Sequence, residues 1–207
     1  MVAIIDYGVG NLFSLRCSLA AIGAEVEVTS SPGALRRAER IVLPGVGAFG
    51  DAAAKLRASG LAGPLMEEAR HGKPVLGICL GMQLLFERSF EYGEHEGLGL
   101  LPGEVRSIAP VVGPGLKVPH TGWNALRLRG GGPFADTKDG DHVYFVHSYA
   151  AFCPDDVVTA TTDHGAELVA AAGRGNVQGC QFHPEKSGPV GLGILRAFCE
   201  MQEGAGC

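Results

Sequence analysis

Apolar residues recur along this 207-residue chain in short blocks whose spacing alternates between the strand period and the helix period. Residues 2–5 (Val-Ala-Ile-Ile) form a compact apolar run. A glycine loop follows, and then Leu12, Leu15, Leu19 and Ile22 stand at helical spacing with Asn11 as N-cap and Gly23 as stop. Val26 and Val28 alternate with Glu25 and Glu27, which predicts a second strand. Ser31-Pro32 opens a short helix in the N-cap, N1 order, and Ile41-Val42-Leu43 predicts a third strand. A glycine loop at 45–50 leads into a helix over 51–58, with another apolar helix over 61–71. Val75 to Ile78 reads as a fourth strand that turns at Cys79 into a helix over 80–88. Strands that alternate with helices in this way build a mostly parallel sheet covered on both faces.

From about residue 104 the texture changes. Strand-like segments at 104–108, 122–128, 142–146, 157–161, 167–171 and 176–182 are separated by Gly, Pro and Asp turns, predicting extra mixed or antiparallel strands in the C-terminal half. A last helix over about 190–202 places Leu192, Leu195 and Phe198 on one side. The segments 110–116 and 129–133 read as exposed loops. No internal repeat and no linker interrupts the pattern, so residues 1–207 are expected to form one domain of α/β class.

Composition narrows the function classes. The chain carries 17 basic and 22 acidic residues, a formal net charge of −5, and no Lys/Arg run, so it lacks the positive footprint that a phosphate backbone demands. No nucleic-acid partner is expected. The longest apolar stretch, Val75 to Phe86, is short of the roughly 20 residues that cross a bilayer, and Asp6 interrupts any leader-like start, so a cytoplasmic location away from membranes is expected. The six cysteines include no C-x-x-C pair and no metal-ligand spacing. Most of them, Cys17, Cys180 and Cys199 included, are expected to be small buried hydrophobes, with no metal and no cofactor.

Three segments carry chemistry. Gly77-Ile78-Cys79-Leu80-Gly81 follows a strand and opens a helix. That is the G-x-nucleophile-x-G elbow with cysteine as nucleophile, where flanking glycines spare a strained turn from Cβ clashes and the helix start favours a thiolate. His183-Pro184-Glu185 offers the base and the carboxylate that orients it; extended geometry enforced by Pro184 would point His183 and Glu185 the same way. Pro44-Gly45-Val46-Gly47-Ala48-Phe49-Gly50 spells G-x-G-x-x-G after a strand, with Glu67 and Glu68 near the distance at which a dinucleotide fold places its ribose-binding acid. Asp51 at the start of the next helix opposes a pyrophosphate there. The competing use is an oxyanion hole, in which Gly45 and Gly47 let the Val46 N–H work with the Leu80 N–H. His120 and His147 lack ligand-spaced partners and read as packed or hydrogen-bonded histidines.

The set GICLGMQ (77–83), PGVGAFG (44–50) and HPEKS (183–187) resembles the class I (triad) glutamine amidotransferases. IDYGVGN (5–11), KVPHTGWN (117–124) and YFVHSY (144–149) look, more narrowly, like the glutaminase subunits of imidazole glycerol phosphate synthases, although Thr121 stands where relatives often carry Met or Ile. The resemblance implies a flavodoxin-like fold, a Cys79-His183-Glu185 triad acting on L-glutamine, and an oxyanion hole at Val46 and Leu80. It implies that Gln83, Glu91 and the backbone around His147, Ser148 and Tyr149 bind glutamine. It also implies a (β/α)8-barrel cyclase partner in a heterodimer, with Asn11, Trp123, Tyr144 and Lys186 at the interface, where Trp123 as a core residue is the competing reading. Two alternatives stay open at this point: a glutaminase serving another synthase, and a non-catalytic or redox-sensing module with an elbow cysteine.

Overall fold

The computed structural model describes residues 1–202; Cys207 lies outside them. The first half runs β1 (Val2–Ile5), α1 (Leu12–Ala21), β2 (Val26–Thr29), α2 (Pro32–Arg37), β3 (Arg40–Leu43), α3 (Phe49–Ala58), α4 (Ala62–Arg70), β4 (Val75–Ile78) and α5 (Leu80–Leu84). The second half adds β5 (Arg88–Ser89), β6 (His95–Glu96), β7 (Glu104–Ser107), β8 (His120–Ala125), β9 (Arg127–Leu128), β10 (His142–His147), β11 (Tyr149–Phe152), β12 (Val158–Asp163), β13 (Glu167–Arg174), β14 (Val177–Cys180) and α6 (Gly188–Glu200).

Eight strands form the central sheet in the order β2-β1-β3-β4-β14-β13-β12-β9. The first five run parallel, and β13, β12 and β9 extend the sheet antiparallel. Period-two alternation splits the strand side chains between two cores. Ala3, Ile5, Ile41, Leu43 and Val75 pack with Phe49, Ala52 and Leu56 of α3 and Leu65 and Ala69 of α4. Val2, Ile4, Val42, Leu76 and Ile78 pack on the other face with Leu15 and Leu19 of α1 and Ile194, Leu195 and Phe198 of α6. The mostly parallel, doubly covered sheet expected from the sequence is therefore present. Asn11 caps α1 by accepting from Ser14 N, and Gly23 sits at φ +84° just past its end.

Several boundaries differ for identifiable reasons. The helix expected over 80–88 ends at Leu84, because the carbonyls of Leu84, Leu85, Phe86 and Glu87 are taken by backbone N–H groups of residues 97–101. The apolar run 84–86 is buried as a turn, and the chain goes on into β5. The strand expected over 122–128 breaks at fully buried Leu126, so that β8 pairs with β10 in a two-stranded ribbon while β9 joins the central sheet. Strand β11 was not expected; no turn residue separates it from β10, and the chain changes sheets at Ser148 to enter the four-stranded sheet β11-β7-β5-β6. Cysteine burial is also less general than expected: Cys79 and Cys180 are buried, Cys153 and Cys199 are half-buried, and Cys17 is exposed on α1.

Candidate active site

Cys79 sits between β4 and α5 at φ 54° and ψ −112°, a left-handed conformation that non-glycine residues seldom hold. The turn is fixed from both sides: Cys79 N donates to Cys180 O at 2.8 Å, and Gln83 N donates back to Cys79 O at 3.2 Å. Glycine is required around it by contact. A Cβ on Gly81 would lie 1.9 Å from Leu43 O, and one on Gly77 would lie 2.7 Å from Gly81 O. A Cβ on Gly45 would lie 2.6 Å from Gly81 N, so the 44–50 loop lies directly on the elbow.

His183 Nδ1 lies 2.8 Å from Glu185 Oε1, with both side chains buried. The pairing is as expected but its cause is different. Only His183 is extended; Pro184–Lys186 form a 3₁₀ turn that folds Glu185 back under the ring. Burial alone would depress the imidazole, but hydrogen bonds to Cys79 and Glu185 and their charges outweigh it and raise His183 to about 9. The sulfur on one side and the carboxylate on the other thus both favour the protonated ring. Glu185 Oε2 is buried with no hydrogen-bond partner among the described residues.

These groups open into a cavity of about 300 Å³. Val46, Gly47, Cys79, Leu80, Gln83, Glu91, His147, Ser148, Tyr149 and His183 all line it. Gly45 and Glu185 stand behind this wall with Asn11 in a smaller recess. Gln83, buried despite its place one turn into α5, donates from Nε2 to Tyr149 O at 3.0 Å and to Gln181 Oε1 at 2.9 Å. Glu91 is buried and accepts from Phe49 N at 2.6 Å, which ties the cavity to the start of α3. Val46 is 44% exposed beside Gly47 at φ +94°, so the peptide that would carry the oxyanion donor borders open space.

The family model for class-I glutamine amidotransferases matches residues 3–201. The chain belongs to the class-I glutamine amidotransferases. It is 49% identical, over 99% of its length and 97% of the relative's, to imidazole glycerol phosphate synthase subunit HisH of Moorella thermoacetica. It is 48% identical to the subunit of the same name from Geobacillus sp., covering 100% of this chain and 99% of that one. Among solved structures, PurLQS from Thermotoga maritima superposes with a TM-score of 0.74 at 23% identity, covering 96% of each chain, which supports the fold.

The remaining expected residues of this amidotransferase fall into one cluster apart from the cavity. Trp123 and Tyr144 are register partners on β8 and β10 with ring centroids 6.1 Å apart, and Lys186 Nζ lies 5.7 Å over the Tyr144 ring. Trp123 is 52% exposed, which removes the core-packing reading. His120 and His147 are hydrogen-bonded, as the sequence suggested, and their partner is each other, at 3.0 Å, which the sequence did not suggest. Among the described residues no group of three or more His, Cys, Asp or Glu could hold a metal, and no helix is long and apolar enough to cross a membrane. Two residues at the site escaped the sequence reading. Gln181 Nε2 lies 3.7 Å from Cys79 Sγ, and the buried Tyr7 hydroxyl donates to Pro44 O. The parity of Gln181 with His183 along one extended segment was the available signal for the first; nothing local to Tyr7 signalled the second.

Proposed function

We propose that this chain is the glutaminase subunit of an imidazole glycerol phosphate synthase, hydrolysing L-glutamine with Cys79, His183 and Glu185 and passing the ammonia to a (β/α)8-barrel cyclase. The observation that carries the chemistry is the buried series of Cys79 and His183 on the wall of one cavity with Glu185 behind them. The Cys79 thiolate, its proton held on His183, attacks the side-chain amide carbon of glutamine, and a C–S bond forms. The oxyanion is taken by the Val46 and Leu80 N–H groups. As the C–N bond breaks, His183 gives its proton to the departing nitrogen, leaving a thioester. Water then gives a proton to His183, attacks the same carbon and expels the thiolate, releasing glutamate; Glu185 keeps the imidazole aligned throughout.

Gln83 Nε2 is fully engaged inside the protein, so its Oε1 is the atom left to meet substrate, and Glu91 supplies the charge for the α-ammonium. The exposed Val46 peptide next to left-handed Gly47 suits a donor that turns inward only in the complex, so low activity alone and higher activity with partner are expected. The Asn11, Trp123, Tyr144 and Lys186 set is assigned to the cyclase-facing surface, and Trp123 suits an interface anchor. Residues 1–207 act as one domain, working in the cytoplasm. The test is to mix the chain with the cyclase and its ligand: glutamate release should rise well above that of the chain alone and vanish in Cys79→Ala. Turnover retained in Cys79→Ala would refute the triad, and no stimulation by the cyclase would refute the partner.

A further inference from the structure

Gln181, just past β14, is fully buried, and its backbone N–H is held by Ala170 O at 2.8 Å. Its side chain bridges two site residues, with Nε2 3.7 Å from Cys79 Sγ and Oε1 2.9 Å from Gln83 Nε2. An amide can be placed either way round, so the polarity of this bridge needs an anchor. The backbone provides it. Tyr149 O can only accept, and it takes its bond from Gln83 Nε2 at 3.0 Å; Gln83 therefore presents its NH2 group to Gln181 as well. Gln181 must answer with oxygen, which leaves its own NH2 facing the sulfur.

The same carbonyl is held by a second donor, His147 Nδ1 at 2.9 Å. That leaves a lone pair on His147 Nε2, which accepts from His120 Nδ1 at 3.0 Å. Burial keeps both rings neutral, pushing His147 down to about 3 and lowering His120. A chain with one hydrogen-bond polarity at every link thus fixes the amide that touches the nucleophile. A primary amide buried only to fill space costs more than an apolar side chain of similar length.

We propose that Gln181 is a catalytic residue: its Nε2–H donates to Cys79 Sγ and stabilises the sulfur anion each time the cycle forms it. The proposal rests on Cys79 being the nucleophile. Sulfur is negative before attack, when its proton is on His183. It is negative again when the C–S bond of the thioester breaks and the electron pair returns to sulfur. In the thioester the sulfur is neutral and accepts weakly, so the donor favours the charged states over the intermediate. His120, His147 and Gln83 act as positioning residues for it.

The experiment compares wild type and Gln181→Met, which keeps length and loses the donor, in complex with the cyclase. Expected are a fall in kcat of about tenfold with KM within about twofold, and an upward move of about one unit in the pH inflection for iodoacetamide alkylation of Cys79. Gln181→Glu, which accepts from Gln83 but meets sulfur with negative charge, should lose more. An unmoved inflection in folded Gln181→Met overturns the proposal. If that variant does not fold, the wild-type side-chain amide signal of Gln181, sequentially assigned among the four glutamines, decides. It should shift as Cys79 ionises and again when Cys79 is alkylated, and an invariant signal overturns the proposal. Glutaminase turnover of the wild-type complex reads the underlying assignment separately.

Discussion

The Tyr7 hydroxyl donates to Pro44 O across 2.8 Å, joining the loop after β1 to the first residue of the 44–50 loop, for which the oxyanion role is proposed. The two residues are 37 apart in sequence and both are buried. Burial and the nearby Cys79 charge push the phenol well above its usual range, so it keeps its proton and stays a donor at every working pH. It anchors the near end of the 44–47 segment, while Gly47 leaves the far end free to turn. Tyr7→Phe should therefore cost about 1 kcal/mol of stability and lower kcat several-fold in the presence of the cyclase, with KM little changed. Urea melts and steady-state kinetics check both; an unchanged kcat would show that the anchor does not hold the donor in register.

The elbow glycines give a contact-based expectation. A Cβ on Gly81 meets Leu43 O at 1.9 Å, backbone that belongs to β3 and cannot move without opening the sheet. Gly81→Ala should cost several kcal/mol, in the range of overpacked cores, and be recovered mostly as aggregated chain. Gly60→Ala, at φ +73° but with nothing within 4 Å, is the control for backbone strain alone and should cost about 1 kcal/mol. Equal losses in thermal melts would mean that the close approach at Gly81 is not what requires glycine.

Much of this was legible in the sequence because the deciding signals were local. The apolar runs Val2–Ile5 and Ile41–Leu43 and the helical spacing of Leu15 and Leu19 each depend only on neighbours, and so does the glycine-flanked Cys79. The His183–Glu185 pair was legible as a pair, although its 3₁₀ geometry was not, since Pro184 is compatible with an extended strand and with the first position of a turn. What stayed hidden depended on distant partners. The end of α5 is set by residues 97–101 taking the carbonyls of Leu84 and the three residues after it, and the break at Leu126 by two sheets sharing one segment. The orientation of Gln181 is set by a carbonyl 32 positions away. No window of 10 to 15 residues contains those facts.

Glu91 would serve two ends at once on the proposed assignment, the start of α3 and the substrate, and two substitutions separate them. Its Oε2 accepts from Phe49 N at the start of α3, where Ala48 provides no side-chain cap, while the other oxygen has no hydrogen-bond partner among the described residues. Glu91→Gln keeps an acceptor for Phe49 but loses the charge; KM for glutamine should rise about tenfold, the cost of one charge-assisted contact, with the melting temperature nearly unchanged. Glu91→Ala loses both and should also lose about 1 kcal/mol of stability, the usual cost of a missing cap. A normal KM in Glu91→Gln would remove the carboxylate from substrate binding.

Two histidines give the fold opposite pH dependences. Burial, first of all, holds His147 at about 3 against an ordinary 6.5, so it folds neutral. Below about 6.5 the unfolded chain takes up a proton that the folded one refuses. Stability from this group is complete above 6.5 and declines as pH falls towards 3. His183 is the reverse: raised to about 9, it folds charged, so its contribution is complete below 6.5 and is lost as pH rises through 9. Stability should therefore fall away on either side of a maximum near 6.5 where these groups dominate. His147→Asn, with a side-chain amide to reach Tyr149 O, should flatten the acid limb and leave the alkaline limb. His183→Asn should do the converse. On the proposed mechanism the same imidazolium supplies the proton to departing ammonia, so kcat/KM of the complex should fall above about pH 9, in parallel with the alkaline loss of stability in the wild-type chain. Denaturant melts and kinetics over pH 4 to 10 measure both, and an acid limb that survives in His147→Asn would place the acid-sensitive proton elsewhere.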